Sequence, residues 1–216
     1  MEKVALTGKP MIVSTGISNA EQVEKTVDFI KQTWAHNNII GQLAILHCVS
    51  SYPVPSDQAN LRSIQFLIEN FEDTIGYSDH TLGIEAAILA TALGAKIIEK
   101  HFTLDKNFSD FRDHQLSADP PEMRDLVKQI RLTSSMLGEN RKQVENCEEG
   151  LVIAIRRSIV AGRDMSAGHY VDTSDLTWLR PSGGLIPGKE KVLIGKRLKR
   201  EVSFGEQLSV TDVELG

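Results

Sequence analysis

Hydrophobic and polar positions along the first 140 residues form two alternating kinds of segment. Four short apolar runs each end in polar residues, and stretches whose apolar residues recur at helical spacing separate them. The apolar runs are residues 12–15, 43–52, 74–80 and 95–103. Short strands that alternate with amphipathic helices predict a parallel sheet with right-handed crossovers. We therefore expect an α/β fold in this part of the chain.

The helical stretches carry both an apolar face and end signals. Ser18 begins a capping sequence, Ser-Asn-Ala-Glu, which predicts a helix start. Asp119 and the prolines after it predict another start, with Pro120 at the first helical position. Gly94 and Gly138 are predicted stops. The expected inward faces are Val23, Val27, Ile30 and Trp34 in the first helix, and Leu61, Ile64, Ile68 and Phe71 in the second.

The element order from residue 12 is four βα units. A (β/α)8 TIM barrel needs eight, so residues 1–140 are expected to form half of such a barrel. Ligands of parallel sheets bind beyond the carboxyl ends of the strands. The polar residues at the strand ends are therefore expected on one rim; they are Ser14, Ser50, Tyr52, Ser78, His80 and His101.

The character of the chain changes after the polar segment 141–152, which we interpret as a linker. Beyond it the predicted strands are short, and glycine and proline are frequent. Residues 165–176 are echoed by residues 202–213, with Ser, Gly and Asp repeated 37 positions apart. Residues 153–216 are therefore expected to form a small pseudo-symmetric β domain. Its turns would need glycine at Gly168 and Gly205, and we interpret the echo as structural.

Composition narrows the class of protein. The 216 residues are 41% hydrophobic and 25% charged, as in ordinary globular proteins. Net charge is −5, and residues 151–216 hold ten Lys/Arg and eight Asp/Glu, which leaves −7 on the rest. Neither part is basic enough to indicate nucleic-acid binding. No apolar run is long enough for a membrane span, no leader is evident, and the two cysteines form no disulfide framework. We expect a cytoplasmic protein.

His80 and His101 are the strongest candidates for functional residues. Both fall at the ends of adjacent predicted strands, which lie about 4.8 Å apart in a sheet. Two imidazoles there could hold one metal ion and leave positions for water and substrate. Imidazole suits Zn, Mn or Fe, so the ligands alone do not choose the metal. The alternative is a pair of hydrogen-bonded histidines near a rim.

Hydroxyl and acidic residues form a second set. Ser14, Ser50 and Ser78 follow three strands, where hydroxyl and backbone N–H groups suit a phosphate, although helix capping is the alternative. Asp113 lies in a long charged loop, where acid–base work or sugar binding competes with simple local pairing to arginine. We interpret His47 and Cys48 as packing residues, and His169 as a surface position.

Together these segments resemble one family. Ser14-Thr-Gly16, His47-Cys-Val-Ser-Ser-Tyr-Pro53, Gly76-Tyr-Ser-Asp-His-Thr-Leu82, Glu99-Lys-His-Phe-Thr103 and Arg180-Pro181 occur in the order found in sialic acid (N-acylneuraminate, nonulosonate) synthases. That family includes legionaminic and pseudaminic acid synthases. The segment from about residue 153 is similar to their antifreeze-like SAF domain, a small β-rich, β-clip-like domain.

The resemblance implies an enzyme that condenses phosphoenolpyruvate with an N-acylated hexosamine such as N-acetylmannosamine. It implies a divalent metal, Mn²⁺ or Mg²⁺, on His80 and His101. Ser14, Ser50 and Ser78 match phosphoenolpyruvate-binding residues, and Tyr52 and Asp113 match sugar-binding residues. Arg180 matches an arginine that the SAF domain of one subunit of a homodimer inserts into the partner's barrel.

Two kinds of departure accompany the resemblance. Ser50 stands where sialic acid synthases often have asparagine, and the loop around Asp113 differs in sequence from that of the family. The resemblance therefore does not specify which sugar is the substrate. The family also carries four more βα units upstream, with further phosphoenolpyruvate- and sugar-binding residues. The chain is therefore expected to act as a fragment or split subunit, inactive alone, that associates with itself or a complementary half. The alternatives are a non-catalytic interaction module that keeps metal or sugar affinity, and a different metal-dependent aldol-type enzyme.

Overall fold

The chain folds into two compact units. The computed structural model describes residues 1–214, apart from the side chain of Arg112. Residues 1–139 form the barrel unit and residues from 140 onward form the C-terminal unit. Each unit has its own apolar core.

The barrel unit is built on a curled sheet of four parallel strands. The strands are β1 (Met11–Ser14), β2 (Leu43–Cys48), β3 (Thr74–Asp79) and β4 (Ile98–Lys100). They lie side by side in chain order. The predicted α/β half-barrel arrangement is thus confirmed, although β2 and β4 end earlier than their apolar runs suggest.

Helices connect and cover the strands. They are α1 (Glu2–Ala5), α2 (Ala20–His36), α3 (Ser63–Asn70), α4 (Glu85–Ala92), α5 (Arg112–Leu116) and α6 (Pro120–Leu137), with a 3₁₀ turn at Ser56–Gln58. The short helices α1 and α5 carry too few residues for a periodic signal, and neither was predicted. The Asp119 cap and the proline at the start of α6 are as expected, and Gly138 follows its last turn.

Two details of the predicted helices are wrong. Helix α2 is capped by Asn19 and not by Ser18, because Asn19 exchanges hydrogen bonds of 2.9 Å with Gln22 in both directions. Helix α3 is shorter than its predicted stripe and buries Leu67, whereas Ile68 is 43% exposed. Within the helix, Ile64 and Leu67 are the buried residues, and Leu61 and Phe71 just outside it pack against the same core.

The two faces of the sheet differ in what covers them. On the outer face, residues such as Met11, Ile45 and Tyr77 pack against α2, α3 and α4 and form the core. On the inner face, Ile12 of the edge strand β1 is 58% exposed. Because strand residues alternate between faces, Ser78 lies on the inner face beside the outward-directed Tyr77.

The C-terminal unit begins with a 3₁₀ turn at Asn146–Leu151 and helix α7 (Val152–Ile155). Strands β5 (Ser158–Ala161) and β6 (Leu176–Leu179) pair antiparallel, and 3₁₀ turns lie at Thr173–Asp175, Glu190–Val192 and Val210–Asp212. Gly168 and Gly205 have φ values of +85° and +81°. These values confirm that the two turns need glycine.

The sequence echo in this unit has a repeated ion pair at its centre. Arg163 Nε donates to Asp175 at 2.7 Å, and 37 positions later Arg200 Nε donates to Asp212 at 2.7 Å. His169 adds a 2.6 Å contact to the fully buried Asp175. His169 is partly exposed, which agrees with the expected surface position, and its ring is in addition fixed by a buried carboxylate.

Among residues 1–214, no helix combines the length and hydropathy required to cross a membrane.

Candidate functional site

Three aromatic rings converge at the carboxyl end of the parallel sheet. Asp79 and Lys100 are the last registered pair of β3 and β4, so His80 and His101 leave neighbouring strands side by side. Their ring centroids lie 5.1 Å apart. Tyr52, from the loop after β2, lies 4.3 Å from His80 and 5.9 Å from His101 between ring centroids. We call these three residues the rim cluster.

The hydrogen bond of His80 fixes which of its nitrogens can bind a ligand. Nδ1 lies 2.9 Å from the carbonyl oxygen of Val49. A carbonyl only accepts, so Nδ1 carries the hydrogen and Nε2 keeps its lone pair. A backbone carbonyl behind one nitrogen is the usual support of a metal-binding histidine. His80 is 5% exposed, so this orientation is held inside the protein.

A buried ion pair holds the two strand ends behind the rim cluster. Lys100 Nζ lies 3.0 Å from Asp79 Oδ2, and their side chains are 2% and 0% exposed. Asp79 Oδ1 also accepts from the backbone and the hydroxyl of Thr81, each at 2.8 Å. Each partner directly precedes one of the two histidines. The pair therefore fixes the backbone from which both imidazoles project.

Glu99 is a site residue that the sequence analysis missed. Its Oε1 accepts a 2.6 Å hydrogen bond from Ser78 Oγ, across the pairing of β3 with β4. Glu99 lies two residues before His101 and shares its face of the strand. That spacing was the available signal, since residues i and i+2 of a strand point the same way. A carboxylate thus lies on the inner face beside the rim cluster.

The other predicted residues occupy separate positions. Ser14 is exposed at the end of β1, and Ser50 is exposed after β2, beside Gly16. Asp113 lies in α5 and not in an open loop; its carbonyl accepts a hydrogen bond from Ser117 Oγ. Arg180 is exposed and directly follows β6 in the C-terminal unit. The structure thus brings Tyr52, His80 and His101 together, with Ser78 bonded to Glu99 nearby.

The donor set can be compared with what a metal needs. Within residues 1–214, no group of three or more His, Cys, Asp or Glu side chains is arranged to hold an ion. Two imidazoles are nevertheless close together, and the hydrogen bond of His80 leaves Nε2 available. These residues fit a cation that takes two protein ligands and completes its shell with water or substrate.

A curled parallel half-barrel sheet with a polar rim, together with a small antiparallel β unit, is the fold of a (β/α)-barrel fragment that carries an additional β domain. Residues 1–142 match the NeuB family, and residues 156–214 match the SAF domain. The chain therefore belongs to the NeuB family, and the resemblance to nonulosonic acid synthases is confirmed.

Similar proteins include several synthases. The chain is 38% identical to an N,N′-diacetyllegionaminic acid synthase of Legionella pneumophila over 95% of this chain and 57% of that one. It is 35% identical to a pseudaminic acid synthase of Campylobacter jejuni over 97% of this chain and 59% of that one. It is also 35% identical to a mouse N-acetylneuraminate-9-phosphate synthase, over 82% and 48% of the two chains.

Solved structures show the same likeness. An N-acetylneuraminic acid synthetase of Leptospira borgpetersenii in complex with citrate is 37% identical, with a TM-score of 0.64, over 70% of this chain and 50% of that one. A spore coat polysaccharide biosynthesis protein of Bacillus subtilis is 31% identical, with a TM-score of 0.57, over 100% and 64%. The chain thus spans between half and two thirds of the length of most of these proteins.

Proposed function

We propose that the chain supplies the second half of a nonulosonic acid synthase. The enzyme would condense phosphoenolpyruvate and water with an N-acylated hexosamine such as N-acetylmannosamine, giving a nonulosonic acid and phosphate. The observation that carries this proposal is the rim cluster of Tyr52, His80 and His101 in a chain of the NeuB family. Two imidazoles beside an aromatic ring at a barrel rim suit a polar substrate that needs an activated carbonyl.

His80 and His101 would hold a divalent cation, Mn²⁺ or Mg²⁺. Such a cation, when bound, polarises a carbonyl oxygen and so favours attack by the carbon nucleophile. The protein's own contribution is orientation. Val49 fixes the tautomer of His80, and the buried Asp79–Lys100 pair fixes the strand ends. Preorganised ligands need no rearrangement when the substrate binds.

Serine hydroxyls would bind the phosphate and carboxylate of phosphoenolpyruvate. Ser14 and Ser50 are exposed near the carboxyl ends of β1 and β2, where hydroxyl donors can reach an anion. Ser78 is 2% exposed and already donates to Glu99. We propose that Ser78 acts mainly by orienting this carboxylate, because a hydroxyl that donates to Glu99 has no second hydrogen for a phosphate. Glu99 would then accept a proton, or a hydrogen bond from a sugar hydroxyl.

Sugar binding is assigned to Tyr52, Asp113 and Arg180. The Tyr52 ring packs on His80, so the sugar would bind against an aromatic face next to the cation site. Asp113, in α5, would accept hydrogen bonds from sugar hydroxyls. Arg180 follows β6, and its planar set of donors suits an amide carbonyl or a carboxylate. We propose that it acts on the barrel of a second subunit in a homodimer.

The rest of the site would come from a second half barrel. Ile12 on the inner face is 58% exposed, and the edges of a four-stranded sheet present unpaired backbone groups. A complementary set of four βα units would cover both. Association with such a half, in the same or another polypeptide, is therefore part of the proposal.

The test measures phosphate release from phosphoenolpyruvate and N-acetylmannosamine in the presence of Mn²⁺. The 216-residue chain would be assayed alone and together with the part of the Legionella synthase that it does not cover. We expect little release from either polypeptide and release from the mixture. Robust turnover by the chain alone would refute the half-site proposal. A mixture that forms a complex, binds Mn²⁺ and stays inactive would favour the non-catalytic interaction module.

A further inference from the structure

A cavity of about 490 Å³ lies between helices α2 and α3, beyond the carboxyl end of β2. We call it the outer cavity. Its lining includes His47, Gln58, Asn60, Ser63 and Phe66. His47 belongs to the outer face of the sheet, since it pairs with Tyr77 and their rings stack. The rim cluster lies across the sheet, with Cys48 in the wall between, its Sγ 3.9 Å from His80 Nδ1.

His47, in the lining of this cavity, has a ring nitrogen that can accept a hydrogen bond. Its Nε2 lies 2.9 Å from the carbonyl oxygen of Ala59, so Nε2 carries the hydrogen and Nδ1 the lone pair. Burial lowers the pKa of His47, and the Ala59 carbonyl offsets part of that effect, so the ring is neutral near pH 7. The residue is 7% exposed, and among residues 1–214 Nδ1 has no hydrogen-bond partner. A ring nitrogen in the cavity lining without a protein partner is available to a ligand that brings an O–H or N–H donor.

The rest of the lining decides the charge of the ligand. Among the described residues that line the outer cavity, none carries a formal charge once His47 is neutral. A charged ligand would lose water without gaining a counter-charge, which is costly. Asn60 Nδ2 donates to Ser63 Oγ at 2.9 Å, and each of these groups retains a further position for hydrogen bonding. Gln58 adds another amide.

Phe66 supplies an apolar surface within this polar lining. Its side chain is 45% exposed on α3, where a solvated face would ordinarily carry a polar residue. An aromatic ring beside amides and hydroxyls suits a molecule with C–H faces and hydroxyl edges. Ile17, also in the lining, holds a left-handed backbone at φ 60°, an uncommon conformation for a β-branched residue. Strained residues of this kind cluster at ligand sites.

We propose that the outer cavity binds a small, uncharged, polyhydroxylated ring of the monosaccharide class. One of its hydroxyl groups donates to His47 Nδ1, the amide and hydroxyl groups of Asn60 and Ser63 bond to others, and Phe66 packs on its C–H face. The cavity shares Ser50 of its lining with the proposed phosphoenolpyruvate site, but the monosaccharide contacts use neither His80 nor His101, so the two proposals can be tested separately.

The test is a titration of the 216-residue chain with three probes that share one ring. They are D-glucose, which is uncharged, D-glucuronate, which is anionic, and D-glucosamine, which is cationic. Long-range ¹H–¹⁵N NMR follows the Nδ1 and Nε2 resonances of His47. We expect saturable shifts with glucose, with a Kd on the order of 10 mM or below. Glucuronate and glucosamine should bind at least about tenfold more weakly, a difference of about 1.4 kcal/mol.

Matched variants assign the effect to the cavity. Phe66→Ala should weaken glucose binding, whereas Phe29→Ala should not, because Phe29 is also 45% exposed but lies on α2 outside the lining. His47→Phe keeps a ring against Tyr77 and removes the acceptor, and it should abolish saturable binding. Because this variant has no imidazole, its titration is followed through the backbone amide resonance of Ser63 in the lining. The fluorescence of Trp34, in a Trp178→Phe background, checks its fold. A His80→Ala, His101→Ala double variant should bind glucose normally. Equal affinity for the three probes, no saturable shift, or unchanged binding by Phe66→Ala would overturn the proposal.

Discussion

The imidazole rings of His80 and His101 lie 5.1 Å apart between centroids, with their planes at 86° to each other. This arrangement follows from strand register, because each histidine comes one residue after the last registered pair, Asp79 and Lys100. When two parallel strands end at paired residues, the next residue of each strand lies at the same edge of the sheet. Two residues that are 21 positions apart in the sequence thereby become neighbours.

Loss of either histidine should abolish metal binding. We expect isothermal titration with Mn²⁺ to show weak binding to the chain, since two protein ligands leave the shell incomplete without substrate. His80→Ala and His101→Ala should each remove it. His36→Ala is the control, because His36 is an exposed residue at the end of α2. Equal binding by the wild type and both rim variants would contradict the site.

Removal of one partner of the buried Asp79–Lys100 pair should strongly destabilise the barrel unit. Lys100→Met leaves the Asp79 carboxylate uncompensated inside the protein, where its partners include Thr81. We expect a loss of about 3–5 kcal/mol in the free energy of unfolding. Urea denaturation followed by Trp34 fluorescence, in a Trp178→Phe background, measures it.

Two controls accompany this measurement. Lys25→Met breaks an exposed pair with Glu21 and should cost no more than about 0.5 kcal/mol. The double variant Asp79→Leu, Lys100→Met should recover much of the lost stability, because no buried charge then remains. A loss below about 1 kcal/mol for Lys100→Met would show that the pair is less buried than its exposure of 2% and 0% indicates.

The stability of the C-terminal unit should depend on the protonation of Asp175. Burial raises the pKa of this carboxyl. Hydrogen bonds from His169, the Asp172 backbone and Arg163 have the larger, opposite effect and bring the pKa down to about 2. The folded pKa thus lies below the unfolded value of about 3.9. The stabilisation is therefore present above about pH 4 and is lost as pH falls toward 2.

Asp175→Asn removes this dependence. We expect the variant to be less stable than the wild type at pH 6, and the difference to shrink by pH 2.5. Urea denaturation followed by Trp178 fluorescence in a Trp34→Phe background reports this unit separately. Glu201→Gln, at an exposed acidic position of the same unit, should change much less. A difference between Asp175→Asn and wild type that is constant from pH 6 to 2.5 would contradict the assigned pKa.

Arg180 should affect sugar use selectively. In the reconstituted enzyme, Arg180→Ala should lower kcat/KM for the hexosamine. The corresponding loss of transition-state stabilisation should be about 1.5–3 kcal/mol, the range for a hydrogen bond to a charged group. The KM for phosphoenolpyruvate should stay near its wild-type value. Arg157→Ala, at another exposed arginine of the same unit, is the matched control. Equal losses for both substrates, or for both variants, would remove Arg180 from the sugar site.

Local signals in the sequence predicted most of the fold. The apolar face Val23, Val27, Ile30 and Trp34 is buried as expected, because helical periodicity is a property of one segment. Asp119 caps α6 for the same reason, since a cap involves residues only three apart. The cap of α2, at Asn19 and not at Ser18, is a case that local sequence does not decide. Two adjacent residues both had capping side chains, and the backbone geometry chose between them.

The order of the strands was also predicted from the sequence, and it placed both histidines at one edge, although β2 and β4 end earlier than predicted. The sequence by itself thus determined the order of elements, the rim and the family. It did so because burial patterns, caps and motifs are written over short spans of chain.

Only the tertiary structure decided which side chains bond to one another. Ser78 and Glu99, and likewise Asp79 and Lys100, are 21 residues apart in sequence, and their contacts depend on the register between β3 and β4. The outer cavity depends on the space that α2 and α3 leave beside His47. Such contacts arise when separate elements pack together, so no single segment of the sequence encodes them.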